Sequence, residues 1–385
     1  MKKIVILGST GSIGENTLFV ARKNPDKIKV TGLSTRTNIE LLLKQIEEFK
    51  PPFVAVWDER KADELKKKVS NKVTVLRGQE GLVRLSEIDS DLVVSSLVGS
   101  VGLKPTLTAI NTGKNIALAN KEVLVMAGEI VKKAAKKNKV SIIPIDSEHS
   151  ALLQCLWKRD REEVKKVILT ASGGPFYNKN TDDLSKINPK QALMHPTWKM
   201  GPKVTIDSAT LMNKGFEVIE ARYLFDIPVE KIDVVIHPES IVHAIVEFVD
   251  GSVSACMHIP DMRIPIQYAL SYPERWKGDY GAFDITRIGA LHFLKPDIKK
   301  FPALGLACNA VKTGGAMPAV MSAADEVCVE KFLKSEISFL DIIKYVKKTM
   351  EAYKPVKNPS MNDILEKDKW ARKKTLELTK TVMEV

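Results

Sequence analysis

The sequence predicts an α/β protein: an N-terminal doubly wound, Rossmann-like domain, a central α+β domain and a C-terminal helical domain. Three observations predict it. Up to residue 150, short β-branched runs alternate with amphipathic stretches, the pattern of a parallel sheet wrapped by helices. Beyond Ala151 the apolar runs lengthen, and Asp250-Gly251 between two of them signals a hairpin. From Ala303 onward the pattern is mainly helical. A chain of 385 residues is also too long for one ordinary core.

Taken in order, strands are expected at Lys3–Leu7, Lys29–Leu33, Phe53–Trp57, Val73–Leu76, Leu92–Ser95, Asn115–Leu118 and Val140–Ile145. Helices fall between them, for example at Asn38–Phe49, Lys61–Val69 and Val123–Lys136. The central domain, 151–272, should hold longer strands at Val164–Ala171, Asp233–Val249 and Ser252–Ile259. A segment rich in Pro, Gly and aromatics, 273–301, reads as a linker, and 302–385 as the helical domain.

Composition narrows the function classes. Hydrophobic residues at 44% with 28% charged describe a globular chain, and no apolar run approaches a membrane span. The start, Met1-Lys2-Lys3 before a short apolar run, has no signal-peptide core, so a cytoplasmic protein is expected. Cys155, Cys256, Cys308 and Cys328 are widely spaced among apolar neighbours, as buried thiols are. The net charge of +12 is spread over helical stretches such as Lys132–Lys139 without interleaved aromatics. Small anionic substrates suit that surplus better than nucleic acid does.

The first strand runs into Gly8-Ser9-Thr10-Gly11-Ser12-Ile13-Gly14 and then a helix. Glycines there allow a tight turn and close backbone approach, and a helix N-terminus offers free N–H groups to a pyrophosphate. The spacing is G-x-x-G-x-x-G, a looser signal than G-x-G-x-x-G; its place after the first strand favours a dinucleotide over an empty turn. After the second strand comes Leu33-Ser34-Thr35-Arg36-Thr37-Asn38, with no acid for a ribose hydroxyl. A guanidinium and hydroxyls suit a 2′-phosphate, so NADP is favoured over NAD. Ser34 or Thr37 could equally cap the next helix.

The last strand of the first domain ends Ile145-Asp146-Ser147-Glu148-His149-Ser150. In extended chain, residues two apart point the same way, so Asp146 and Glu148 would converge at the carboxyl end of a parallel strand. Two hard oxygen donors suit Mg²⁺ or Mn²⁺; helix-capping acids would look the same, and this fragment alone does not separate the two. Further on, Asp207 or Ser208 should cap a helix whose Asn213, Lys214 and Glu217 share one face. Asn, Lys and Glu clustered there suit a phosphate at one end and a metal at the other; taken by itself, the face reads better as a surface ion pair of little worth.

Several motifs occur together in one order: GSTGSIG, LANKE around Lys121, IDSEHSA (Ile145–Ala151), SGGPF (Ser172–Phe176), HPTWKMG (His195–Gly201), DSATLMNKGFEVIEA (Asp207–Ala221), HPESIVHAIVEF (His237–Phe248) and PDMRIPIQYAL (Pro260–Leu270). In this the chain resembles the 1-deoxy-D-xylulose 5-phosphate reductoisomerases along its whole length, most densely from 115 to 270. The resemblance implies NADPH-dependent, divalent-metal-dependent isomerisation and reduction of that phosphorylated sugar to 2-C-methyl-D-erythritol 4-phosphate, a step of isoprenoid precursor synthesis, by a homodimer. It implies Asp146, Glu148 and Glu217 as ligands of one Mg²⁺ or Mn²⁺. Lys121, Ser147, Ser172, His195, Ser208, Asn213 and Lys214 are implied substrate contacts, the phosphate falling to Ser172, Ser208, Asn213 and Lys214. Thr10, Gly11, Ser12, Ile13, Asn120, Glu122 and Gly201 are implied cofactor contacts, and 191–203 a mobile lid whose Trp198 covers the substrate. Where the family often shows Gly-Lys-Asn, this chain has Arg36-Thr37-Asn38: the lysine is lost, an arginine arrives beside its position, and NADPH preference is expected to persist.

Other signals are set aside. His149 reads as a neighbour of the metal ligands, and His237, His243, His258 and His292 as structural. Tyr353 and Lys357 fit Y-x-x-x-K, but Pro355 between them breaks the helical turn that pair needs. A semialdehyde dehydrogenase would need a cysteine in activating, polar surroundings, which none of the four has. A homoserine dehydrogenase would keep turning over after chelation. A non-catalytic NADPH-binding regulator would bind nucleic acid without turnover.

Overall fold

β1 (Lys2–Leu7) is buried from Ile4 to Leu7, on both faces, as a central parallel strand must be. The computed structural model describes residues 1–380, the side chain of Thr181 excepted; the end of the expected helical domain, 381–385, lies outside the described residues. Around β1 stand β2 (Ile28–Thr35), β3 (Phe53–Val56), β4 (Thr74–Arg77), β5 (Leu92–Ser95), β6 (Asn115–Leu118) and β7 (Ile142–Pro144). Their order is β4-β3-β2-β1-β5-β6-β7, and every pairing is parallel. Helices join successive strands, so the sheet is doubly wound as expected. The order reverses between β1 and β5, which creates a crevice at the carboxyl ends of these strands.

The alternation calls for helices between the strands, and two of them, Gly78–Glu87 and Leu103–Asn111, form against weak local propensity. The first opens on Gly78 and carries Gly81; the second carries Pro105, Thr106 and Thr108, so propensity argues against both. Packing overrides it: Leu82, Leu85, Leu103 and Ile110 are essentially excluded from solvent.

A second sheet is built from β8 (Val164–Ala171), β9 (Ile232–Ile236), β10 (Val242–Phe248) and β11 (Val253–Met257), in the order β11-β10-β8-β9. β10 pairs antiparallel with both neighbours, whereas β8 and β9 are parallel. The expected hairpin through Asp250-Gly251 forms, with Gly251 at φ 87°. The single strand expected over Asp233–Val249 is in fact two. The chain turns at Glu239-Ser240, where Ser240 takes φ 53°, and His237 caps the break: its Nε2 accepts the N–H groups of Ile241 and Val242, each at 3.1 Å. Apolar side chains of the helix Met212–Phe225, among them Val218 and Phe225, pack on this sheet with Leu169, Ala244 and Val246. The C-terminal part is helical: Ala303–Thr313, Met317–Leu333, Phe339–Glu351 and Met361–Lys380. Ser338 and Asp341 form a capping box that starts the third of these.

Chain contacts divide the molecule into two units. The first comprises 1–123, 130–150 and 261–282; the second comprises 124–129, 151–260 and 283–385. The segment 261–282 is thus tied to the nucleotide-type fold. Its Arg263 guanidinium lies 4.8 Å from the Phe19 ring centroid and 5.3 Å from that of Tyr280. No helix among the described residues is long and apolar enough to cross a membrane.

Candidate active site in two halves

In the first unit, Gly8 takes φ 92° as the chain leaves β1, and a Cβ there would meet the Ser96 carbonyl oxygen at 2.9 Å. Gly14 is tighter: a Cβ would lie 2.3 Å from the Gly8 oxygen, so only glycine lets the helix Ser12–Lys23 close on the strand. Gly11 caps that helix without a side-chain hydrogen bond, and Gly11 and Ser12 are exposed, which leaves the N–H groups of the first turn to a ligand. β2 braces the loop. Ser34 Oγ accepts the Gly8 N–H at 2.9 Å, and the Thr10 and Thr35 hydroxyls are 2.6 Å apart. Neither Ser34 nor Thr37 caps the next helix; Asn38 does, its Oδ1 accepting the Leu41 N–H at 3.1 Å. Arg36 and Thr37 stand exposed beside it, and the Arg36 side chain has no partner among the described residues.

Pairing of β6 with β7 sets Leu118 opposite Pro144, so the residues that follow both strands emerge side by side. Lys121 Nζ reaches Asp146 Oδ2 at 2.9 Å, with the two side chains 8% and 26% exposed. Asp146 and Glu148 do not share an extended segment. The chain bends at Asp146, whose carbonyl accepts the Ser150 N–H at 2.8 Å, and Glu148 is already in the first turn of the helix Ser147–Cys155. The helix starts early because β7 ends at Pro144. Ser147 Oγ donates to Glu148 Oε2 at 2.6 Å, and the buried His149 Nδ1 is 3.9 Å from Asp146 Oδ2. Asn120 is spent on structure: its Nδ2 donates to Leu97 and Gly99 carbonyls at 2.6 and 3.0 Å, and its Oδ1 accepts the Val123 N–H at 3.2 Å. Any cofactor contact from it falls to its backbone. Glu122 opens the next helix and is buried.

In the second unit, Ser172 follows β8 and enters Gly173-Gly174, both at positive φ. A Cβ on Gly174 would stand 2.8 Å from the Ser208 carbonyl oxygen, so this glycine lets the Ser172 turn lie on the helix Pro202–Thr210. Ser172 and Ser208 converge on one imidazole, with His195 Nε2 3.0 Å from Ser172 Oγ and 3.1 Å from Ser208 Oγ. His195 Nδ1 accepts the N–H groups of Thr197 and Trp198 at 3.1 and 2.9 Å. Nδ1 is therefore unprotonated and Nε2 carries the hydrogen, which it donates toward the serines. Burial pushes the His195 pKa below its ordinary 6.5, which keeps the ring neutral. Both hydroxyl hydrogens are left to donate to an anion.

The helix expected to begin at Asp207 or Ser208 begins elsewhere. Those residues are inside Pro202–Thr210, capped by Gly201, and the chain breaks at Leu211 with φ 61° before Met212–Phe225. Pro202 at the first helical position explains the earlier start. The face holding Asn213, Lys214 and Glu217 forms as expected, but it is no surface feature. Glu217 is 1% exposed; its Oε1 accepts from Asn213 Nδ2 at 2.6 Å and its Oε2 from the buried Lys214 ammonium. Trp198 is half-buried, edge-on to His243 at 6.4 Å, and His243 stacks on His258 at 3.7 Å. Sequence reasoning missed the Lys203–Asp207–Asp325 network: Lys203 and Asp207 are one turn apart, but Asp325 is distant in sequence.

Burial pushes the thiols of Cys155, Cys308 and Cys328 up, which makes them inert as nucleophiles. None of the four cysteines is in a disulfide; Cys328 is buried as expected, whereas Cys155, Cys256 and Cys308 are only partly so. The helix Phe339–Glu351 ends before Tyr353, so Tyr353 and Lys357 share no helical turn.

Comparisons with known proteins agree along the chain. Residues 4–128 match the family described as 1-deoxy-D-xylulose 5-phosphate reductoisomerase, and 142–225 and 257–374 match descriptions of C-terminal domains of the same enzyme. A 1-deoxy-D-xylulose 5-phosphate reductoisomerase of Thermodesulfovibrio yellowstonii is 52% identical over 97% of this chain and 98% of its own length. One from Caldanaerobacter subterraneus is 52% identical over 98% of this chain and 99% of its own. Among solved structures, the reductoisomerase of Zymomonas mobilis in complex with NADPH is 39% identical, with a TM-score of 0.92 over 98% of this chain and 99% of that one. A DOX-P reductoisomerase in complex with NADPH, fosmidomycin and magnesium is 39% identical, with a TM-score of 0.94 over 100% of this chain and 99% of that one. With identity above one half and nearly full coverage on both sides, this chain belongs to the 1-deoxy-D-xylulose 5-phosphate reductoisomerase family.

Proposed function

We propose that this chain converts 1-deoxy-D-xylulose 5-phosphate to 2-C-methyl-D-erythritol 4-phosphate, using NADPH and a divalent cation, and that Asp146, Glu148 and Glu217 hold the cation together. The observation that carries the reading is Glu217, a carboxylate nine-tenths and more buried and held in place by Asn213 and Lys214. Burying such a charge costs several kcal/mol, on the order of what only a functional or fully compensated group repays. The donors fit the ion: all are hard carboxylate oxygens, the chemistry of Mg²⁺ or Mn²⁺. They also fit the nucleotide, since the glycine loop is open at Gly11 and Arg36 stands unpartnered at the end of β2.

When bound, NADPH supplies hydride and the cation supplies Lewis-acid stabilisation of oxygen charge. The chain's own groups do the rest. Ser172 and Ser208 donate hydroxyl hydrogens to the substrate phosphate, helped by Asn213 and Lys214, while neutral His195 orients both serines through Nε2–H. Phosphate binding contributes remote binding energy that fixes the reacting carbons. Lys121, beside Asp146, holds a proton at Nζ near developing oxygen charge. Ser147 keeps Glu148 in one orientation and itself contacts substrate. Trp198, on the expected lid 191–203, excludes water. Thr10, Gly11, Ser12 and Ile13 cradle the pyrophosphate with the backbone of Asn120, with Glu122 and Gly201 completing the cofactor contacts; Arg36, Thr37 and Asn38 take the 2′-phosphate. The enzyme acts in the cytoplasm as a homodimer joined through the strands at Ile241–Ile259; the edge strand β11 and exposed Val249 and Val253 support that assignment.

NADPH oxidation by the purified chain with 1-deoxy-D-xylulose 5-phosphate, with and without Mg²⁺ or Mn²⁺, tests this directly. Metal-dependent oxidation is expected. In Glu217→Gln turnover should fall about 100-fold or more while NADPH affinity holds. Near-normal turnover in that variant removes Glu217 from the cation.

A further inference from the structure

The Lys203 ammonium lies where three helices of the second unit meet. It belongs to the first turn of Pro202–Thr210 and pairs with Asp207 one turn on. Its Nζ is also 2.9 Å from Asp325 Oδ2, on Met317–Leu333, and 4.8 Å from the ring centroid of Phe216, the neighbour of Glu217. The three side chains are shut away from water, with Lys203 14%, Asp207 1% and Asp325 0% exposed. Asp325 Oδ1 finds no hydrogen-bond partner among the described residues, so Lys203 is the cation that its charge answers to.

For stability alone a buried ion cluster is a poor choice, because apolar side chains of similar volume often pack at equal or lower cost. What the arrangement does achieve is placement. Lys203 stands just after Gly201, an exposed residue with open space around its Cα, where the irregular stretch that begins at Leu193 ends. The same helix carries Ser208, whose hydroxyl meets His195 at the other end of that stretch. The Lys203–Asp325 bond ties this helix, by its first turn, to the C-terminal helical region.

We infer that Asp325 is a positioning residue for phosphate recognition: through Lys203 it fixes the root of the lid and the helix that presents Ser208. The inference rests on the reading of Ser172 and Ser208 as phosphate ligands oriented by His195. Asp325 touches no substrate in this account, and acts only through the lysine.

Steady-state kinetics of Asp325→Asn, Asp207→Asn and Lys203→Arg beside the wild type, with 1-deoxy-D-xylulose 5-phosphate, NADPH and Mg²⁺, decide it. Asp325→Asn keeps shape and removes the tie between helices; the KM for the sugar phosphate should rise about tenfold, with kcat and the KM for NADPH within about twofold. Asp207→Asn leaves that tie in place, and its effect on the same KM should stay below about threefold. Three results overturn the inference: an unchanged KM in Asp325→Asn, a common loss in all parameters together with the melting temperature, or equal effects of the two Asn variants. Should Asp325→Asn fail to fold, Lys203→Arg decides instead. It preserves charge but cannot seat its planar head between the same carboxylates, so the KM for the sugar phosphate alone should rise, and an unchanged value refutes the inference. A wild type inactive on the sugar phosphate would bring down the proposed function and this inference with it; an active wild type beside an unaffected Asp325→Asn brings down the inference alone.

Discussion

His195 joins two kinds of group through one ring, accepting backbone N–H groups of Thr197 and Trp198 at Nδ1 and facing two serines at Nε2. Its protonation must place a hydrogen on Nδ1, where both of those donors already point. The folded pKa is lowered from 6.5, so the neutral ring's contribution is complete above 6.5 and is lost as pH falls from there through the folded value. The ring of the folded enzyme stays neutral at pH 6.5, so the KM for the sugar phosphate should climb only at lower pH, as the lowered folded value is passed. The substrate phosphate ionises near 6 as well, so the comparison to make is with His195→Gln, which keeps the substrate's titration and loses the ring's. Parallel pH profiles in the two proteins would refute the role. Arg36 makes a second residue-scale case. A guanidinium without protein partner, at the end of β2, is free to fork onto a phosphate. Arg36→Ala should raise the KM for NADPH about 10- to 100-fold while use of NADH barely changes, and an equal effect on both nucleotides would argue against it. At this scale the sequence is informative about residue type and spacing and silent about depth. Lys214 and Glu217 look like a surface pair on paper, and only the packing of Met212–Phe225 shows that their face is buried.

Elements are legible where the hydrophobic pattern and the local chemistry agree. β5, β6 and β8 fall on the residues expected, because short runs rich in Val, Ile and Leu bounded by turns admit one reading. Helix starts are less legible, since capping signals compete: Asp207 and Ser208 have capping side chains, yet Pro202 starts the helix first and Leu211 ends it at positive φ. The break within Asp233–Val249 depends on His237 accepting two backbone N–H groups, which no periodicity reveals. Contact between elements yields a prediction of its own. Gly174 brings the turn after β8 against Ser208, at φ 64° and with a would-be Cβ 2.8 Å from the Ser208 carbonyl. Gly174→Ala must strain the backbone and push Ser172 off the helix, costing about 2 to 4 kcal/mol. The melting temperature should fall by a few degrees, and the KM for the sugar phosphate should rise by more than the KM for NADPH. If both KM values stay at wild-type level, the glycine does not set the serine pair.

At the scale of the whole molecule, the proposed cation draws on residues far apart in the chain. Asp146 and Glu148 stand at the start of the helix Ser147–Cys155, and Glu217 on the helix Met212–Phe225. An ion that binds only the folded protein stabilises it by mass action. At a metal concentration of ~100 times the dissociation constant that stabilisation is about 2.7 kcal/mol. The melting temperature of the chelated wild type should therefore rise on adding Mg²⁺ or Mn²⁺, with no substrate present. Asp146→Asn and Glu217→Gln should each abolish the rise, since either loses one of three charged ligands, while NADPH should raise the melting temperature of all three proteins alike. A metal-induced rise that survives in Glu217→Gln but not in Asp146→Asn would remove Glu217 from the ion's ligands. The nucleotide response acts as the internal control, because the glycine loop and Arg36 contain no carboxylate that either substitution removes. Loss of both responses together in a variant would mean damage to the fold instead.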